Sequence, residues 1–283
     1  MRVPAVEGLI IERVDALSQA LPAAAKGDVA ALHKARVATR RLRAALPIVA
    51  NGRRAEQLAR LIRRLTQALG SVRELDVARQ ILDDLEDAGK VSHAAARALR
   101  VAVDDERRRL RSELERHLED FDFDTLRKRA VAATHTHGAA AFGIRDARRA
   151  AEARVQARRR AHRLGRTLDR AAGLYLSDRL HEVRIAVKKL RYALELEQRF
   201  SGSRAKAGIR TLKAAQALLG RMHDLEVLIA RSRTTQASAG ASSLKISADL
   251  DGLVRHLESE CRQLHGQYMA SRKGLLSICG RLI

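Results

Sequence analysis

The sequence predicts an all-α fold built from two similar halves, and three observations carry the prediction. Apolar residues recur with helical spacing along nearly the whole chain. Proline occurs only three times in 283 residues, tryptophan not at all, and the apolar positions are mostly Leu, Ala, Ile and Val, a composition that favours helices over strands. One basic string is written twice: "LHKARVATRRLRAAL" from Leu32 to Leu46 and "LHEVRIAVKKLRYAL" from Leu180 to Leu194.

Taken in order, the periodicity predicts helices over about 5–21, 28–50, 54–87, 92–119, 123–136, 144–172, 178–199, 204–232 and 243–280, the last with a break. "PAAAKGD" separates the first two, with Asp28 as the N-cap of the second. "ANGRR" closes the second helix, and Pro47 should kink or shorten its last turn. "EDAGKVS", "THTHGAAAFG" and "FSGSRAKAG" are further loops. "RTTQASAGASS" is the most linker-like stretch, with small polar residues and no apolar period.

The repeat extends past the opening string. "LGSVRELDV" (Leu69 to Val77) matches "LGRMHDLEV" (Leu219 to Val227), and just upstream Arg60 and Arg63 match Arg210 and Lys213. An internal duplication is the economical reading: one domain over 1–283, with halves of about 5–140 and 144–283 packed about a pseudo-twofold axis.

Helical spacing gives the repeat its chemistry. At roughly 100° per residue, His33, Arg36, Arg40 and Arg43 fall inside an arc of about 80°. Leu32, Ala35, Ala38, Leu42, Ala45, Leu46 and Val49 form an adjoining apolar arc. His181, Arg184, Lys188 and Arg191 repeat the stripe. Like charges at i,i+3 and i,i+4 repel by a few tenths of a kcal/mol each. A merely soluble helix would intersperse acids. The stripe also borders the core-facing arc, so it should wall a cleft or channel, an acid-free basic groove joined by Arg60, Arg63, Arg210 and Lys213.

Other features are less pointed. Glu74 and Asp76, with Asp224 and Glu226, fit a role holding nearby Arg and His side chains, as Asp76 would for Arg73 or Arg79, better than an acid–base pair. Gly70 and Gly220 fit close helix approach or a kink. Arg159, Arg163, Arg166 and Arg170 share a face of a third basic helix, which either adds a wall to the cavity or is an exposed basic surface. His135 and His137 alternate in "THTHG" without an accompanying carboxylate or cysteine cluster, so no metal site or cofactor is read there. No GxxxxGK[ST], GxSxG or HExxH string is present.

Lys+Arg is 55 against 33 Asp+Glu, a formal charge of +22. That excess predicts an anionic partner: nucleic acid, an anionic membrane or another polyphosphate. Scarce aromatics argue against gripping single strands by stacking. Cys261 and Cys279 fit no common zinc or redox spacing. No apolar run reaches the ~18 residues of a membrane span, and Glu7, Glu12 and Asp15 interrupt the N-terminal apolar pattern where a signal peptide would carry none. A cytoplasmic protein off the membrane is expected.

The two strings, each followed by "LGxx[RH][ED]L", resemble the two halves of a CHAD domain, the conserved histidine α-helical domain, and the resemblance covers essentially the whole chain. It implies two four-helix bundles with pseudo-twofold symmetry around a basic central channel. It also implies inorganic polyphosphate as the ligand, recruitment to polyphosphate granules and no catalytic activity. The implied binding positions are His33, Arg36, Arg40, Arg41 and Arg43, then His181, Arg184, Lys188, Lys189 and Arg191. The stripe includes Arg40 and Lys188 but leaves Arg41 and Lys189 open. Many relatives also carry an N-terminal CYTH triphosphate-tunnel domain marked by ExExK; this sequence lacks that motif, so triphosphate hydrolysis is not implied. A nucleic-acid partner, and more remotely an enzyme of polyphosphate metabolism, are the alternatives that charge leaves open.

Overall fold

The computed structural model describes residues 6–49, 52–119, 123–134, 142–171, 173, 175–202, 205–238 and 244–283. Among them lie nine helices and no strand: α1 (Val6–Ala25), α2 (Val29–Val49), α3 (Arg53–Asp87), α4 (His93–Glu119), α5 (Phe123–Thr134), α6 (Phe142–Arg170), α7 (Ser177–Ser201), α8 (Lys206–Ser238) and α9 (Leu244–Leu282).

Local chemistry explains most boundaries. Asp28 caps α2 as expected, its Oδ1 accepting the Ala31 N–H at 2.7 Å. Gly27 and Gly89, with φ of 96° and 64°, close α1 and α3 in the left-handed conformation that glycine adopts without strain. Behind each glycine the chain bonds back six-to-one, Asp28 N to Ala23 O at 3.0 Å and Lys90 N to Leu85 O at 2.8 Å.

Two boundaries differ from the sequence expectation, the ends of α1 and α8, whereas α2 ends within a residue of the expected place. α1 continues through Pro22 to Ala25, and α2 runs through Pro47 to Val49. Each proline lacks the N–H that would bond four residues back, but lies in the last turn, so few residues beyond it must stay helical. α8 absorbs the first part of the expected linker and ends at Ser238. There Thr234 and Ser238 hydroxyls donate to the carbonyls four residues back, each at 3.0 Å. Gln236 Nε2 reaches α9, at Ser247 Oγ (3.0 Å) and Asp251 Oδ1 (2.9 Å). The hydroxyls are thus satisfied within α8, and Gln236 ties the stretch to α9.

The apolar side chains gather in three cores. One joins α1, α2, α5, the first half of α3 and the end of α4 around Ile10, Leu17, Leu42, Ile62 and Leu126. A second joins α6, α7, the first half of α8 and the end of α9 around Leu168, Val187, Leu212, Tyr268 and Leu275. In the third, the remaining halves of α3, α4, α8 and α9 meet around Leu75, Leu82, Leu99, Leu225 and Leu257. The change of core falls between Val72 and Leu75 on α3 and between Met222 and Leu225 on α8, inside the repeated "LGxx[RH][ED]L" string.

Asp76, at that change of core, is buried and pairs with neither expected partner. Its Oδ1 accepts from Arg107 Nε at 2.7 Å and Arg111 Nη2 at 3.2 Å, tying α3 to α4. Arg79 pairs instead with Asp83 and Asp104. Replacing Asp76 with Ala strands two guanidiniums that are about a fifth exposed. Unfolding in denaturant should show a loss of about 2–3 kcal/mol, below the value for a fully buried pair because water reaches the arginines. A loss under about 0.5 kcal/mol would mean that solvent already satisfies them.

Candidate functional site

α2 carries His33, Arg36, Arg40 and Arg43 along one edge of its buried face, and α7 carries His181, Arg184 and Lys188 in the same way. α2 packs against both α6 and α7, which turns the two stripes toward each other. Arg40 lies close enough to Arg184 and Lys188, and Arg36 to Arg184, for each cation to depress its neighbour.

Beside this crossing opens a cavity of about 780 Å³ between α2, the start of α3, α6 and α7. Its basic lining is Arg40, Arg43, Arg63, Arg160, Lys188 and Lys189. Its floor is apolar, including Ala44, Ile185 and Tyr192. Pro47 lies at its edge, which gives that residue a place the sequence alone did not suggest.

The electrostatics follow from burial. Lys188 is faced by Arg40, Arg184, Arg36 and Arg43; burial first, then these charges, pull its ammonium down to about 7. Burial and the neighbours Arg40 and Arg184 bring Arg36 to about 10. Gly70 makes room for that guanidinium: a Cβ there would lie 2.9 Å from Arg36 Nη1. Gly220 has no such neighbour, so only the first glycine of the repeat serves close approach.

His33 is depressed by burial and by Arg73, Arg36 and Arg40. His181 is depressed by burial and by His223, Arg184 and Lys188, its ring 5.2 Å from that of His223. Arg73 and His223 occupy matching places in the repeated string, so each stripe histidine has a cationic or imidazole neighbour from the matching helix.

Three acids of the string lie close to the stripes: Asp224, Glu74 and Glu226 oppose the depression of Arg184, and Glu74 that of Arg36. Glu74 Oε2 lies 3.8 Å from His223 Nε2 and its Oε1 3.8 Å from Arg231 Nη2. The His223 ring as donor, with the Arg231 and Arg36 charges, holds its carboxyl below the usual range against the effect of burial. Burial raises the Asp224 carboxyl although Arg184 and His223 oppose the rise. Glu226 accepts the Tyr175 hydroxyl proton at 2.7 Å. The cavity is not wholly acid-free, since Glu56 lines it with its Oε2 4.0 Å from Arg60 Nη1.

Not every expected position reaches the cavity: His33, Arg36, His181 and Arg184 belong to the stripes but not to its lining. Arg41 points the other way, into a small pocket with Arg13 and Arg199. Arg191 lies over the Tyr192 ring at 4.4 Å, its Nη1 3.4 Å from Glu195. Arg60, Arg210 and Lys213 are exposed and outside the lining. The cavity is walled on that side by α6, not α8. Arg163 lies close to Lys189 and Arg160, whereas Arg159 and Arg166 are exposed and Arg170 pairs with Glu182 at 3.2 Å. His135 and His137 lie outside the described residues.

Three residues that the sequence reading passed over belong near the site: Arg160, Arg73 and His223. A signal for Arg160 was present. On α6, Ala153, Ala157, Ala161, Leu164 and Leu168 are fully buried, and Gln156, Arg160 and Arg163 flank that arc just as Arg40 and Arg43 flank the buried arc of α2. Arg73 and His223 share the [RH] position of the repeated string, but the stripe arithmetic covered only the first helix of each copy and gave them no place at the site.

Comparison with known proteins agrees with this architecture. The chain is similar to the crystal structure of the CHAD domain from the plant Ricinus communis, with 24% identity and a TM-score of 0.69 over 96% of this chain and 90% of that one. It is also similar to PptA from Streptomyces chartreusis, with 15% identity and a TM-score of 0.69 over 94% of this chain and 97% of that one. At these identities the likeness shows the fold alone. No curated protein matches the sequence. The family model for the CHAD domain matches residues 8–233, and the chain belongs to that family.

Proposed function

We propose that the cavity binds inorganic polyphosphate and that the protein is a binding module, not a catalyst. The observation that carries this is the convergence of Arg40, Arg43, Arg63, Arg160, Lys188 and Lys189, from four helices, on one concave site that Glu56 alone opposes among its lining acids. Such crowding opposes folding and is relieved by a ligand of dense, repeated negative charge. Arginines would take pairs of phosphate oxygens and lysines act as point charges. Recruitment to polyphosphate granules follows as the use of such a module.

Concavity favours this over a nucleic-acid reading. DNA readers present a basic helix convexly to a groove, while these stripes border the apolar cores. A catalytic reading needs acids free to hold a metal or move a proton. Glu74, Asp76 and Glu226 are each held by cationic, imidazole or hydroxyl partners, and Asp224 is buried beside Arg184 and His223. In a competition titration at matched phosphate and salt, long-chain polyphosphate should displace labelled polyphosphate far better than duplex DNA or single-stranded RNA. Equal competition by nucleic acid would make the charge a general anion surface.

Arg40→Ala with Lys188→Ala removes two facing charges from the lining. Polyphosphate affinity should fall roughly a hundredfold, since charge-assisted hydrogen bonds are worth about 1.5–3 kcal/mol each. Thermal stability should hold or rise, because the same change relieves repulsion. A variant that melts earlier and binds normally would assign these residues to the fold.

Binding should also depend on pH above neutrality. Free Lys188 loses its proton at about 7, and a bound anion raises that value. Affinity is therefore greatest and level below about 7 as far as Lys188 is concerned, and declines as pH rises above it. His33 and His181, also depressed, lie outside the lining, so the decline above neutrality is assigned to Lys188 alone. Lys188→Arg should remove the decline between pH 7 and 9; a flat wild-type profile there would show that Lys188 does not touch the anion.

A further inference from the structure

We infer that the small pocket on the other face of the cavity wall is a second phosphate subsite, taking units of a polyphosphate chain that extends beyond the main cavity. The inference rests on the polyphosphate reading above. The pocket, of about 210 Å³, lies between α1, α2 and α7. Ala44 and Tyr192 border both it and the main cavity. At Ala44 the shared wall carries only a methyl group.

Its chemistry is that of an incomplete ion cluster. Arg13, Arg41 and Arg199 line it, with Glu195. Arg191 Nη1 holds Glu195 at 3.4 Å, and Arg199 Nη2 holds Glu12 at 3.2 Å. Four guanidiniums thus meet two carboxylates, and both carboxylates are already engaged. Arg13 and Arg41 have no ion pair among the described residues. Arg13 Nε is buried without a hydrogen-bond partner there, as is Arg191 Nε. A half-buried guanidinium with an unmet N–H and like-charged neighbours is costly. Burial, then Arg41, pulls Arg13 below its ordinary range.

An anion bridging Arg13 and Arg41 would satisfy both. The volume is about seven waters' worth, enough for phosphate units and too little for a folded segment. Phosphate oxygens match the guanidinium fork, and continuity with the main cavity favours a chain over a separate small anion. Arg41 then serves the same ligand as Lys189, its counterpart in the repeat, from the opposite side of the wall.

The test is calorimetric titration of wild type and the Arg13→Gln/Arg41→Gln variant with tripolyphosphate and with long-chain polyphosphate. The control is Arg97→Gln/Arg109→Gln, which removes two exposed charges of α4 outside both pockets. Long-chain affinity should fall roughly tenfold in the first variant and less than twofold in the control, with tripolyphosphate affinity unchanged in both. Arg41→Gln alone, at an exposed side chain, should give part of the long-chain loss if the double variant folds poorly. An unchanged ratio between the probes overturns the subsite, as does an equal loss in the control. Selective displacement by orthophosphate at this pocket, with long-chain affinity unchanged in the variant, would make it a separate small-anion site and overturn the continuation. If wild type binds neither probe, the cavity reading falls and this inference with it.

Discussion

Like-charge crowding between α2 and α7 is the constraint to which the rest of the molecule answers. Arg36, Arg40, Arg184 and Lys188 are half-buried and face one another across a helix crossing. Two cations ~6 Å apart at an effective dielectric of ~20 repel by about 3 kcal/mol. Asp224, Glu74 and Glu226 offset part of it at Arg184, and Glu74 at Arg36. The three apolar cores offset the rest collectively, gripping α2 and α7 from one side and bracing α3 against α8 from the other. The crossing is held where free side chains would not hold it.

The acids show how the arrangement avoids collapsing into internal salt bridges. In each repeated string the carboxylates sit at the place where a long helix leaves one core for another. There Asp76 takes Arg107 and Arg111 and Glu226 takes Tyr175, while Glu74, beside His223 and Arg231, and Asp224 lie near the stripe arginines without an ion pair to them among the described residues. Had Asp76 reached the stripe arginines instead, the basic face would be neutralised from within. Gly70 works to the same end by leaving Arg36 the space to lie against α3. The protein keeps its cations uncompensated in the cavity and compensated elsewhere, a division that suits an anionic ligand and costs stability without one.

The helices were legible from period alone, because burial of one arc is a local property of spacing. The exceptions are instructive. Pro22 read as the start of a break and Pro47 as a kink, yet α1 runs on to Ala25 and α2 to Val49. The stretch from Arg233 to Ser238 read as linker because the partners that Gln236 finds at Ser247 and Asp251 are on another helix. At the site, the stripe arithmetic found Arg40, Arg43 and Lys188. The expected reach of Arg60, Arg210 and Lys213 assumed that both halves offer their second helices equally, but α6 closes the cavity and leaves α8 outside it.

Sequence by itself determined the fold class, the family and the existence of a repeated basic stripe beside a buried arc. Each of these depends only on residue type and spacing along a helix. Tertiary structure decided which cations share a cavity. It turned Arg41 and Arg191 away, brought Arg160 in, and set Lys188 among four arginines. The reason is geometric and electrostatic: a helical wheel gives the angle of a side chain about its own axis. Proximity to charge on another helix, and the loss of water that makes that charge strong, exist only once the helices have packed.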